Sequence, residues 1–101
     1  MTNTTLAIIG GSQEQTYKKV GSKSNCKILF HNGKSRNGGV KKDFRPLVKK
    51  ADCVVILLGA IGHVAMDVVK ELCKETNTKV VFHNGFGASG AVSCGLQAVA
   101  G

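Results

Sequence analysis

Two of the three histidines sit in one repeated tetrapeptide, Phe30-His31-Asn32-Gly33 and Phe82-His83-Asn84-Gly85, each directly after an apolar run. The third, His63, closes the stretch Val54-Val55-Ile56-Leu57-Leu58-Gly59-Ala60-Ile61-Gly62. Neutral imidazole is the ligand that iron, copper and zinc require, and two opposed imidazoles serve haem iron. A helix N-terminus disfavours imidazolium, so a His63 that opens a helix is biased towards the neutral, ligating form. Phe30, Phe82 and Phe86 stand beside the histidines as walls for an apolar slot, with Asn32 and Asn84 at its rim. The plainer alternative is that His31 and His83 bond their own turns, where Asn and Gly supply left-handed backbone, and that His63 only begins its helix.

Anion binding is the second chemistry within reach. The stretch Ile8-Ile9-Gly10-Gly11-Ser12-Gln13 ends a strand in a glycine turn and opens a helix whose free N–H groups would receive an anion. Gly10-Gly11 is neither a dinucleotide fingerprint nor a Walker loop. Lys34, Arg36, Lys41 and Lys42 lie on a glycine-rich charged stretch that starts at the same edge. They suit phosphates or haem propionates, or else form a solvated loop. Catalysis has little to work with. Asp52 sits at the end of its strand away from the histidines, Asp67 follows His63 by one helical turn, and Ser35, Ser89 and Ser93 have no nucleophile-elbow context. No catalytic residue is assigned.

These groups must be positioned by a chain of 101 residues, enough for one domain over 1–101 and one modest core. Its 14 Lys and Arg against 6 Asp and Glu give a formal charge of +8, with the lysines dispersed in pairs. Such a balance attracts nucleic acid, nucleotides, acidic lipids or an acidic protein face. The opening Met1-Thr2-Asn3-Thr4-Thr5 shows neither a basic region nor a long apolar segment, so a cytoplasmic protein without integral membrane association is expected. Cys26, Cys53, Cys73 and Cys94 form no CxxC pair and are expected to be free thiols, Cys53 and Cys73 as small buried hydrophobes.

Short apolar runs over 5–9, 26–30, 52–59 and 78–85 read as strands. Helices are expected over 12–21, with Ser12 as N-cap and Gly21 as stop, over 44–51, with Pro46 in the first turn, and over 63–75 and 88–101. Residues 33–43 read as a loop. Strands alternating with helices call for a three-layer α/β domain around a four-stranded parallel sheet, half-Rossmann or flavodoxin-like, in the order 2-1-3-4. All three histidines then fall at the carboxyl edge of the sheet, where such folds place ligands. His63 and His83, on neighbouring strands, are expected close together, with His31 across the first strand.

Ile9-Gly10-Gly11, the His31-Asn32-Gly33 turn, Ala51-Asp52 before an apolar strand, His63, the Lys70, Leu72, Cys73 and Lys74 set, and Lys79 before the last strand follow one another in a telling order. In that order the chain resembles the DUF2325 family of small uncharacterised α/β proteins. It departs from the family at Gly62, where Ser is common, and at His83-Asn84, where many members have arginine. The resemblance implies a compact cytosolic domain, and iron or haem binding by some relatives, carried here to His31 and His63; His83 is added from its position. The leading expectation is therefore non-catalytic binding of haem or a transition metal, for sensing, storage or transfer. The alternative is a nucleotide or nucleic-acid phosphate module built on the glycine turn and basic loop. A homodimer is also expected, through open strand edges or the small-residue stripe Ala88, Gly90, Ala91, Gly95 and Ala98.

Overall fold

The computed structural model describes residues 4–11, 13–32, 40–58, 62–84 and 87–100; of Val40, Lys41, Asp43, His63 and Ala100 it describes the backbone alone. The order of elements is β1 (Thr4–Ile9), α1 (Glu14–Lys23), β2 (Cys26–His31), α2 (Val40–Lys50), β3 (Cys53–Leu58), α3 (His63–Glu75), β4 (Lys79–Asn84) and α4 (Ala88–Ala100). The strands form one sheet in the order β2-β1-β3-β4, and every pair is parallel. This is the expected fold class and strand order. Among the described residues no helix is long and apolar enough to cross a membrane.

Each strand feeds two layers because successive side chains point to opposite faces. Leu6, Ile8, Val55 and Leu57 pack with Tyr17 of α1 and with Ala91 and Val92 of α4. Ala7, Ile9, Val54 and Ile56 pack with Phe44 and Val48 of α2 and with Val69 and Leu72 of α3. The continuous apolar runs of β1 and β3 are explained by this double coverage. Burying one such Val, Leu or Ile stabilises the fold by about 1.5–3 kcal/mol. In α3 the buried Ala65, Val69, Leu72 and Cys73 recur at three and four residues, while Asp67, Lys70, Glu71 and Lys74 stay exposed. The lower ends of the central strands are tied by a reciprocal pair: Thr5 N–H donates to Asp52 Oδ2 at 2.8 Å, and Asp52 N–H to the Thr5 carbonyl at 2.7 Å.

Two helix boundaries differ from the sequence reading, each for a physical reason. Helix α1 runs past Gly21, which is buried at a point where a Cβ would collide with Ile28. That glycine serves close packing. The left-handed residue that stops the helix is Asn25, φ 55°, just as Asn77, φ 55°, follows α3. Helix α2 starts at Val40, so residues 40–43 are helical and Pro46 lies inside the helix instead of in its first turn. An interior proline costs about 3 kcal/mol, a penalty that full burial of Phe44 and Val48 offsets. The proposed cap Ser12 lies outside the described residues, and the N-cap position is held by Gln13 without a side-chain bond.

All four cysteines are free; Cys26, Cys53 and Cys73 are buried and Cys94 is half-buried. Burial pushes the Cys53 and Cys73 thiols up to about 11 from the ordinary 9.0, and raises Cys26 as well. Between 9.0 and about 11 the folded chain therefore keeps protons that the unfolded chain has lost. Stability falls as pH rises through that window and is unaffected by these thiols below it. We predict that at roughly pH 8 a chromogenic disulfide reagent modifies Cys94 quickly, the other three reacting only at the unfolding rate. Fast modification of a second thiol in the folded protein contradicts this burial.

Candidate functional site

The carboxyl edge is organised by the exit of β1. Gly10, φ 120°, and Gly11, φ 84°, take the chain through backbone conformations that L side chains rarely adopt. Gly10 is buried, and its N–H donates to the His31 carbonyl at 2.8 Å. The turn and the end of β2 are thereby locked together, and a side chain at Gly10 would strain both.

The two Phe-His-Asn-Gly units are out of phase in this sheet. Ile9 aligns with His31 on one side and with Ile56 on the other, and Ile56 aligns with Phe82. His83 instead aligns with Leu57. The second unit is thus offset by one residue, which turns every side chain to the opposite face. His31, half-buried, points to the α2–α3 layer, its ring 4.4 Å from Phe44 at 57°. His83, also half-buried, points to α4, where a Cβ built on Gly90 would lie 3.0 Å from Cε1 and 3.2 Å from Nε2. Three strand spacings, roughly 14 Å, and the thickness of the sheet separate the two histidines. A single haem or metal ion cannot take both within one subunit. His63 is the first residue of α3 and so begins on the side that His31 faces, not the side of His83.

The phenylalanines divide in the same way. Phe30 stacks on Tyr17 of α1 at 5.7 Å and 20°. Phe82 lies on the α3 side, with the Lys70 ammonium 5.9 Å from its ring centroid. They do not wall one slot. Asn32 and Asn84 are exposed at the edge, while Ser12, Lys34, Arg36 and Phe86 lie outside the described residues. Among the described residues no three His, Cys, Asp or Glu side chains come together as a metal cage.

The structure assembles a different set of polar groups. Lys42, Arg45, Lys49 and Lys50 are exposed on α2 and, with Pro46, form the described lining of an open surface depression of about 600 Å³. At 100° per residue these five positions occupy an arc of about 140°. Phe44, Val48 and the half-buried Leu47 hold the opposite arc in the core. Lys42 is the member of the proposed basic loop whose side chain is described, and it lies on this face; Lys41 is on the same helix. Arg45, Lys49 and Lys50 were not singled out from the sequence. Their spacing of three, four and one along a helix was the available signal, hidden by starting that helix at Phe44.

Comparison with known proteins gives the following. The family described as "Uncharacterized protein conserved in bacteria (DUF2325)" matches residues 5–99. A UPF0751 protein of Bacillus anthracis (strain CDC 684 / NRRL 3495) is 45% identical over 93 residues, covering 92% of this chain and 93% of its own length. A UPF0751 protein of Bacillus cereus (strain AH820) is 44% identical over 93 residues, again with 92% and 93% covered. One from Desulfitobacterium hafniense (strain DSM 10664 / DCB-2) is 32% identical over 90 residues, with 86% and 87% covered. Among solved structures, a de novo designed Rossmann fold protein is similar at a TM-score of 0.49 and 15% identity, over 89% of this chain and 91% of its own.

The contact between His83 and α4 generates a prediction. In Gly90→Ala the helix gains up to about 1 kcal/mol from propensity, against methyl contacts of 3.0 and 3.2 Å at the imidazole. The two effects are of similar size, so the net change in stability is expected within about 1 kcal/mol. Proton NMR should show the His83 ring resonances displaced and those of His31 unmoved. Equal displacement of both would contradict their separation by the sheet.

Proposed function

This chain belongs to the DUF2325 family, and we propose that it is a non-catalytic binding module for a phosphate-bearing polyanion, nucleic acid being the chemistry that fits best. The observation that carries this reading is the cationic face of α2, with Lys42, Arg45, Lys49 and Lys50 beside one concavity. Arginine can grip a phosphate with two parallel hydrogen bonds, and lysine adds point charge. From Lys42 to Lys50 the helix rises about 12 Å. Measured along the duplex axis, that length spans three to four nucleotide steps of one strand at roughly 3.4 Å of rise each. The formal +8 supplies the longer-range attraction. Nothing in this reading requires the glycine turn to hold the ligand; its part is to fix β1 against β2.

A haem or transition-metal site is the second reading. Its support is that His31 faces the layer in which α3 begins with His63. In that reading these two residues, not His83, would hold the group, and iron would supply the redox or ligand chemistry. Absorption titration with haem tests it. A saturable Soret change lost in His31→Ala and His63→Ala but kept in His83→Ala is the supporting result, and no saturable change rejects it.

For the leading reading, fluorescence anisotropy with a short labelled duplex is the measurement. Four phosphate contacts predict affinity falling about a hundredfold between roughly 50 and 200 mM salt. Replacing Arg45, Lys49 and Lys50 together by Ala is expected to weaken binding by at least about tenfold at fixed salt. Binding that ignores this triple replacement, or no binding at the lower salt, overturns the proposal.

A further inference from the structure

The geometry points to the outer edge of β4 as a self-association surface, on which a second copy of this chain adds its own β4 antiparallel to the first. The inference is independent of the polyanion reading. Among the described residues strand β4 ends the sheet and has β3 as its one strand neighbour, so its outer rim offers a row of backbone donors and acceptors. Edge strands are ordinarily protected by proline, bulges or a projecting lysine. Here Lys79-Val80-Val81-Phe82-His83-Asn84 contains no proline, and its six residues pair with β3 without interruption from Cys53 to Leu58. Its lysine, though exposed, is held against α4 on one face of the sheet, since Lys79 Nζ donates to the Ala98 carbonyl at 2.6 Å.

The other edge is managed differently. Strand β2 carries exposed Lys27 within its length, and its apolar end is covered by its own helices through the Tyr17–Phe30 stack and the His31–Phe44 contact. The large hydrophobic side chains exposed among the described residues are Val64, Phe82 and Val99, at 71%, 42% and 37%. They belong to α3, β4 and α4.

Charge selects the occupant. From Thr76 to Gly101 the sequence carries one charged residue, Lys79, and in the flanking helix α3, whose Lys70 lies over Phe82, Lys70 and Lys74 are offset by Asp67, Glu71 and Glu75, in a chain of net +8. Two copies can therefore approach through this end with little repulsion, whereas contact through α1 or α2 sets lysine against lysine. A twofold axis perpendicular to the sheet keeps α3 with α3 on one face. It must pass through a residue pair, because opposed side chains share a face. Centred on Phe82, it sets Phe82 against its own copy, Val81 against His83 and Val80 against Asn84. The two Lys79 residues then stand about 20 Å apart along the ribbon, beyond a Debye length of roughly 8 Å.

Sedimentation equilibrium over a range of concentrations tests the surface, with site-directed crosslinking as the second readout. Wild-type protein is expected to dimerise. Phe82→Lys, at an exposed position, should retain its far-UV spectrum and shift the dissociation constant at least about tenfold upward. In a Cys94→Ser background, Phe82→Cys should form a disulfide-linked dimer readily, since opposed Cα atoms lie about 4.5–5.5 Å apart. Lys27→Cys on the opposite edge should not. If Phe82→Lys fails to fold, the crosslinking pair decides alone. A wild-type monomer at every concentration, a Phe82→Lys dimer as tight as wild type, or crosslinking at Lys27 in preference to Phe82 overturns the inference.

Discussion

Burial of β1 and β3 between two helical layers is the constraint on which the remaining structure depends. Leu6 through Ile9 and Cys53 through Leu57 are inaccessible to solvent on both faces of the sheet. Sliding either strand by one position would leave the row hydrophobic but change every partner in both layers. Register is therefore held by what surrounds the strands. Gly95 of α4 lies so close that a methyl there would stand 2.9 Å from Leu6 and Val55. The Thr5–Asp52 pair fixes the lower ends, and the Gly10–His31 bond fixes the upper end of β1 against β2. Small residues and backbone polar groups do the aligning, while the large apolar side chains supply most of the free energy.

That alignment has consequences at the carboxyl edge. A tetrapeptide can be repeated in sequence and still be inverted in space, because a strand reads position modulo two. Phe30 and His83 share one layer; His31 and Phe82 share the other. The edge thus presents two unlike surfaces instead of one pocket with two matched histidines. Helix α2 has no such ambiguity. Its inner arc is fixed by Phe44 and Val48, which leaves Lys42, Arg45, Lys49 and Lys50 turned outward together.

Much of the fold was legible from the chain itself. The uninterrupted run Val54–Leu58 could hardly be other than a doubly covered strand, and the spacing of Ala65, Val69, Leu72 and Cys73 defined α3 to its end residues. The limits were stereochemical. Gly21 has the composition of a helix stop and the function of a packing contact, while Pro46 has the composition of a helix start and lies in the interior. The site was less legible than the fold. Element order places residues at an edge, but the face each one takes depends on pairing register, which single strands do not encode. The basic face of α2 was lost through one boundary error, since a helix begun at Phe44 separates Lys42 from the residues it joins.

The sheet order also sorts charge. The chain's first half builds β2 and β1, and its second half builds β3 and β4, so the halves lie side by side. Among the side chains the structure describes, residues 1–50 hold eight of the eleven lysines and arginines, and residues 51–101 hold four of the five acidic groups. The molecule consequently carries a permanent electric moment directed across its strands, in addition to its net charge. In the field of a linear polyanion such a body experiences a torque before it makes any contact. It turns the β2 side forward and leaves the β4 side trailing, so that orientation is selected during approach and not by trial after collision. Added salt should thus erode the alignment together with the attraction, slowing association by more than loss of net charge alone would suggest.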